Sequence, residues 1–190
     1  YIGEMYFFRA FMYFERLKSL GDFPIITKTY PNEREALIEI SKRAPRNEVA
    51  RFILSDLDKA IEMMQNIAPS GGKNRLSKDC AILLKSRVAL YEGSWLKNFK
   101  GTAFVPNGPG WPGANKDYNA NYSFKSGSIE KESEFFFDEA IKAAQIIAEK
   151  YNILTANTGV FPQTSSEPEN PYFSMFSDID MEKYNEVLLW

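Results

Sequence analysis

Four stretches of this 190-residue chain repeat apolar residues every three or four positions, and no stretch alternates them convincingly at every second position. The first spacing puts a continuous apolar stripe on one side of a helix; the second, which a half-buried strand needs, is missing. The pattern therefore predicts an all-α fold. The first block covers residues 2–20. Met5, Phe8, Met12 and Glu15 form one stripe, and Tyr6, Ala10, Tyr13, Leu17 and Leu20 form its neighbour. Apolar residues almost encircle it, which predicts burial on most sides. Gly21 suits the left-handed position after a helix, and Pro24 prevents a restart, so residues 23–27 should be extended.

The second block, residues 46–66, follows Pro45 and carries Val49, Phe52, Ile53, Leu57, Ala60, Ile61 and Met64 on one face. Pro69, Gly71 and Gly72 should end it. The third, residues 77–98, begins at Ser77 as N-cap and shows Ala81, Leu84, Val88, Tyr91 and Trp95. The fourth, residues 133–151, is expected to be capped by Ser133 and holds Phe136, Ala140, Ile141, Ala144, Ile147 and Ala148. Its alanines leave room for a close partner helix. Two antiparallel helix pairs with small contact residues resemble a tetratricopeptide-like repeat scaffold within one partial domain. The scaffold is interrupted by two long irregular loops, 99–131 and 152–186. Eight of the 21 Gly and Pro residues fall in the first, which marks it as a true loop, and loops of that length are often functional.

Composition removes whole classes of function. The chain has no histidine and a single cysteine, so it lacks His-based catalysis, His-ligated metal, an internal disulfide and a thiolate cage. A net charge of -2 gives no basic face for nucleic acid. No apolar run is long enough to span a bilayer. A start at Tyr1 inside a helical pattern, and an end at Trp190 after Glu186-Val187-Leu188-Leu189, predict an internal piece of a longer protein. Targeting signals are then expected outside it.

Several segments, in order, resemble one family. Gly3-Glu4-Met5-Tyr6-Phe7-Phe8-Arg9-Ala10-Phe11, followed by Tyr13-Phe14, is similar to the GEA-x-F-L-R-A-x-x-Y-F helix of the SusD/RagB family. Leu20-Gly21-Asp22-Phe23-Pro24-Ile25-Ile26-Thr27 is similar to its G-x-x-P-L-I-T exit. Arg46 through Asp56-Leu57 and Ala60 resembles its second helix. Arg75-Leu76-Ser77-Lys78-Asp79-Cys80-Ala81 and Lys85-Ser86-Arg87-Val88-Ala89-Leu90-Tyr91 resemble its G-R-x-T-K-x-A-A and K-A-R-V-x-L-Y run. Met5 and Cys80 depart from the small residues usual at those positions. The resemblance implies a surface lipoprotein of the outer membrane, with its lipid anchor outside this chain. It also implies a binding protein that captures an oligosaccharide or other nutrient without catalysis or cofactor. Its partner would be a SusC-like TonB-dependent transporter.

Within the first loop, Trp111, Tyr118 and Tyr122 stand among Asn107, Asn115, Asp117, Asn119 and Asn121. Flat rings can cover the C–H faces of a sugar while amides and carboxylates meet its hydroxyls, which makes these three rings the candidate carbohydrate-binding residues. Pinning the loop to its own scaffold is the competing role. Trp111, stiffened by Pro109 and Pro112, is expected to contribute most.

Other signals point to structure. Gly108 to Gly113 formally matches G-x-G-x-x-G, but no strand leads into it, and its prolines remove N–H donors that a pyrophosphate would need. Asp56 and Asp58, two apart on a helix, cannot act as an acid–base pair and are expected to be solvated or capping. Arg9, within an apolar helix, should be a paired arginine joining two elements. Asp178, Asp180 and Glu182 lack the glycine of a calcium loop. Trp95 and Phe135-Phe136-Phe137 fall at helical positions and should be core.

Overall fold

In the computed structural model, which describes residues 1–70, 72–161 and 164–189, the chain is helical and no strand is present among the described residues. Six α-helices follow in order: α1 (Ile2–Leu20), α2 (Arg34–Ile40), α3 (Arg46–Met63), α4 (Lys78–Asn98), α5 (Ile129–Lys150) and α6 (Pro171–Ser177). The two most extensive helix contacts are α4 with α5 and α1 with α3, and α3 packs on α4 between them. The expectations for Gly71 and Trp190 lie outside the described residues.

The core is built from one face of each long helix. Phe7, Ala10, Phe14 and Leu17 of α1 meet Val49, Ile53, Leu57 and Ala60 of α3 and Ala81, Leu84 and Val88 of α4. The encircling apolar pattern of α1 is thus buried on one side only: Met5, Phe8 and Met12, expected inside, are exposed. A helix apolar all round needs neighbours all round, and here α3 supplies nearly all of its helix contacts.

The α4–α5 contact depends on small residues. A Cβ on Gly93 would lie 3.1 Å from the Phe137 ring and 3.2 Å from the Ser133 carbonyl oxygen. The Ser133 hydroxyl instead donates to the Gly93 carbonyl at 2.8 Å, and the Ser86 hydroxyl to that of Ala140 at 3.1 Å. Ser133 is therefore an interior contact residue and not the expected cap. Ser128 caps α5 five residues earlier, accepting from the Lys131 N–H, after Gly127 turns the chain at φ 94°. Of the four expected contact alanines, Ala140 and Ala143 are buried, whereas Ala144 and Ala148 face outward.

Helix α3 stops at Met63, short of the expected residue 66, where Met64 turns extended. Two short helices carry too little periodicity to be read from sequence. Helix α2 buries none of its residues. Helix α6 is set by Asn170, whose side chain accepts from the Tyr172 N–H, with Pro171 in the first turn. The extended exit after α1 is as expected, and Phe23 and Ala44 exchange two backbone hydrogen bonds at 3.1 Å.

Candidate functional site

Three arginines of this scaffold bind carboxylates from other helices, and two of them, Arg46 and Arg51, belong to the groups that hold the first loop. Arg9 holds Asp56 through two bonds of 2.6 and 2.7 Å. Asp56, expected to be solvated, is fully buried because this guanidinium satisfies both of its oxygens. Arg46, at the start of α3, donates to both oxygens of Glu92 at 2.8–3.2 Å, and its guanidinium sits 4.0 Å from the Trp95 ring centroid. Burial pushes the Glu92 carboxyl up despite the arginine beside it. Arg51 grips Glu132 of α5 at 2.6 and 2.9 Å, and the Asn47 amide and the Ser126 N–H donate to the same carboxylate. Burial pulls the Glu132 carboxyl upward, but Arg51, Asn47 and Ser126 outweigh it and hold it at about 2.

The loop between α4 and α5 hangs on these groups. Its far end is tied by Ser126 to the Glu132 cluster. The Tyr122 hydroxyl donates to the Asn47 side-chain oxygen at 2.7 Å. Its near end folds over α4, where the Trp95 indole N–H donates to the Phe104 carbonyl at 3.0 Å. In the middle, Pro112–Asn115 and Asp117–Asn119 form two single 3₁₀ turns. The first places Trp111 over Gly113, where any Cβ would collide with the indole. Trp111 donates its N–H to Asp22 at 2.7 Å, and the other Asp22 oxygen accepts from the Arg46 backbone N–H at 2.9 Å. Burial raises the Asp22 carboxyl, opposed by those two donors.

Between this loop, the end of α1 and the segment leading into α3 lies a cavity of about 730 Å³. Its lining includes Trp95, Phe104, Trp111 and Tyr118, with Asp22, Arg43, Lys116 and Asn119 among the polar groups. The three sequence-predicted rings divide here. Tyr118 lines the cavity and is 43% exposed, with the Lys42 ammonium 6.0 Å from its ring centroid. Trp111 also lines it, but is only 3% exposed, its N–H consumed by Asp22 and its ring tilted against Tyr122 at 5.7 Å. Tyr122 does not line it; burial of its phenol raises its pKa, opposed by the hydrogen bond to Asn47. Of Asn107, Asn115, Asp117, Asn119 and Asn121, Asn119 alone lines the cavity, and its side chain donates to the Gly113 carbonyl at 3.1 Å.

Two rings escape a reading from spacing. Phe104, 62% exposed beside the cavity, sits in a Gly/Pro-rich segment with no period. Trp95, expected as core, is half-buried and faces the cavity from α4.

Elsewhere, no group of three metal-ligating side chains is found among the described residues. Asp178 is instead engaged by Lys183 and Tyr184. No helix among the described residues is long and apolar enough to cross a membrane.

Residues 1–90, which carry the α1–α3–α4 core and the floor of the cavity, match a SusD-like family model described as starch-binding and associating with the outer membrane. The chain resembles the SusD/RagB family over these residues. Its fold is similar to the crystal structure of a SusD-like protein from Bacteroides fragilis, with 27% identity and a TM-score of 0.51 over 82% of the chain. The match spans 22% of that protein's length. No curated protein matches the chain. Within the matched segment, Arg9 joins α1 to α3, and Arg46 reaches from α3 to Glu92 of α4.

Proposed function

We propose that this chain belongs to the SusD/RagB family and forms part of a surface glycan-binding protein of the outer membrane, and that the cavity beneath the 99–128 loop contacts the saccharide. The observation that carries this reading is the cavity's mixture of rings and hydrogen-bonding groups on a preformed loop. Tyr118, Phe104 and Trp95 offer ring surface, and Asn119, Ser41 and Ser19 stand beside them. That is the general composition of a small-ligand site. Trp111 serves as a wall and Tyr122 as its brace, both fixing the loop on which Tyr118 rides. Binding without bond cleavage is supported by the lining, in which Asp22 is the one carboxylate and both its oxygens are engaged; glycosidic cleavage uses two free carboxyl groups. The captured saccharide would pass to a TonB-dependent transporter, and a lipid anchor outside this segment would hold the protein to the membrane.

A few ring contacts give weak affinity, on the order of micromolar to millimolar. Calorimetric titration of the full-length protein with oligosaccharides tests the reading, with Tyr118→Ala and Phe104→Ala as controls. Undiminished binding by both variants would place the ligand elsewhere. A second reading, a scaffold that docks the transporter without touching ligand here, is favoured by the exposed stripe Met5, Phe8 and Met12 on α1. Retained glycan binding in the cavity variants, with lost transporter association on changing that stripe to serine, would select it.

A further inference from the structure

The charges around the cavity do not balance, although the chain as a whole is slightly acidic. Lys18, Arg43, Arg46 and Lys116 line it against a single carboxylate, Asp22. Two of the cations are committed: Lys18 pairs with Glu15 at 2.6 Å, and Arg46 is locked on Glu92. Asp22 already accepts from the Trp111 N–H and the Arg46 backbone N–H, and its charge acts on Arg43 without forming an ion pair with Arg43 or Lys116. Arg43 and Lys116 have no ion pair or side-chain hydrogen bond among the described residues, and both are exposed. They are grouped around one ring. The Arg43 backbone N–H reaches the Tyr118 hydroxyl at 3.4 Å, and Lys116 lies two residues before Tyr118 on the loop.

A neutral glucan can meet these two cations only with hydroxyl oxygens and leaves both charges uncompensated. From this we infer that the cavity selects an acidic saccharide, one bearing a carboxylate or a sulfate half-ester, with Arg43 and Lys116 receiving the anion while Tyr118 covers the adjacent sugar face. The inference rests on the cavity being the glycan site. Arg43 supplies a planar fork suited to two-point contact with a carboxylate or sulfate, and Lys116 a mobile point charge. Because both groups are solvated, the selectivity should be modest and salt-sensitive.

The test is calorimetry on the full-length protein with tetragalacturonate, a chondroitin sulfate tetrasaccharide and the neutral maltotetraose, at low and high salt. The expected result is tighter binding of an acidic ligand than of maltotetraose, by roughly five- to tenfold, shrinking at high salt. The variant Arg43→Gln/Lys116→Gln should erase that advantage while leaving the thermal midpoint unchanged, since neither side chain has a structural partner. Preference for tetragalacturonate assigns the anion as carboxylate, and preference for the sulfated ligand assigns it as sulfate. Equal binding of all three, unaltered in the variant, overturns the inference and leaves the cavity as a neutral glycan site. Binding of none overturns it together with the reading on which it rests.

Discussion

The indole N–H of Trp111 donates to the Asp22 carboxylate at 2.7 Å across 89 positions of sequence, fastening the middle of the first loop to the exit of α1. Because the second Asp22 oxygen takes the first free N–H of α3, one carboxylate joins a loop, a helix end and a helix start. Asp22→Ala should therefore cost about 1–3 kcal/mol of stability and free the loop. Limited proteolysis checks this: cleavage within residues 99–128 should accelerate well before global unfolding. Parent-like resistance would show that the loop is held by other contacts.

The cavity rings should separate into binding and bracing groups. Tyr118→Ala and Phe104→Ala are expected to weaken glycan binding by roughly two- to tenfold each, with little change in thermal midpoint, because both rings are largely exposed. Trp111→Ala should lower binding and midpoint together, since it removes a buried ring and leaves Asp22 short of a donor. Binding titrations paired with thermal melts discriminate the two patterns.

Glu132 makes stability sensitive to acid. Its carboxyl sits at about 2 in the folded protein against an ordinary 4.5, so the folded state binds fewer protons than the unfolded chain between those values. Its contribution, about 2–4 kcal/mol, is complete above the ordinary value and is lost as the pH falls toward 2. Glu92 and Asp22, both raised, work in the opposite sense, since each is protonated more readily when folded. The clean measurement is the difference in unfolding free energy between the parent and Glu132→Gln. That gap should stay level from pH 6 to about pH 5 and then narrow toward pH 2, and a gap independent of pH would contradict the assignment.

Removing one member of the interior pair Arg46–Glu92 should be far worse than removing both. Glu92→Leu alone leaves a buried guanidinium uncompensated, Arg46→Met alone leaves a buried carboxylate, and each is expected to cost about 3–5 kcal/mol. Arg46→Met combined with Glu92→Leu should recover most of it. Urea unfolding of the two single variants and the double variant forms the necessary cycle; strict additivity would mean that the pair is not coupled.

The close approach of α4 and α5 at Gly93 predicts a steric penalty. Gly93→Val places methyl groups against the Phe137 ring and the Ser133 carbonyl, and only the ring can move aside. A loss of about 1–3 kcal/mol is expected by chemical denaturation.

Local spacing by itself determined the four long helices, the extended exit after α1 and the irregular nature of the first loop. These follow from period, proline and glycine, which act within a few residues of themselves. Boundaries slipped where a second signal of the same kind lay nearby: Ser128 caps α5 and Ser133 does not, because the Gly127 turn comes first and the Ser133 hydroxyl is needed across the helix contact at Gly93. The short helices α2 and α6 were illegible because a helix of seven residues shows too few turns for a period to emerge.

The site was legible as a loop but not as a cavity. Sequence identified Trp111, Tyr118 and Tyr122 by their aromatic chemistry, yet which of them faces solvent depends on partners 75 to 89 positions away, at Asn47 and Asp22. Asp22, Arg43, Trp95 and Phe104 share no local pattern; the packing of α1, α3 and α4 beneath the loop brings them together. Hydrogen bonds and burial are pairwise properties of distant residues, and only the tertiary structure decides those.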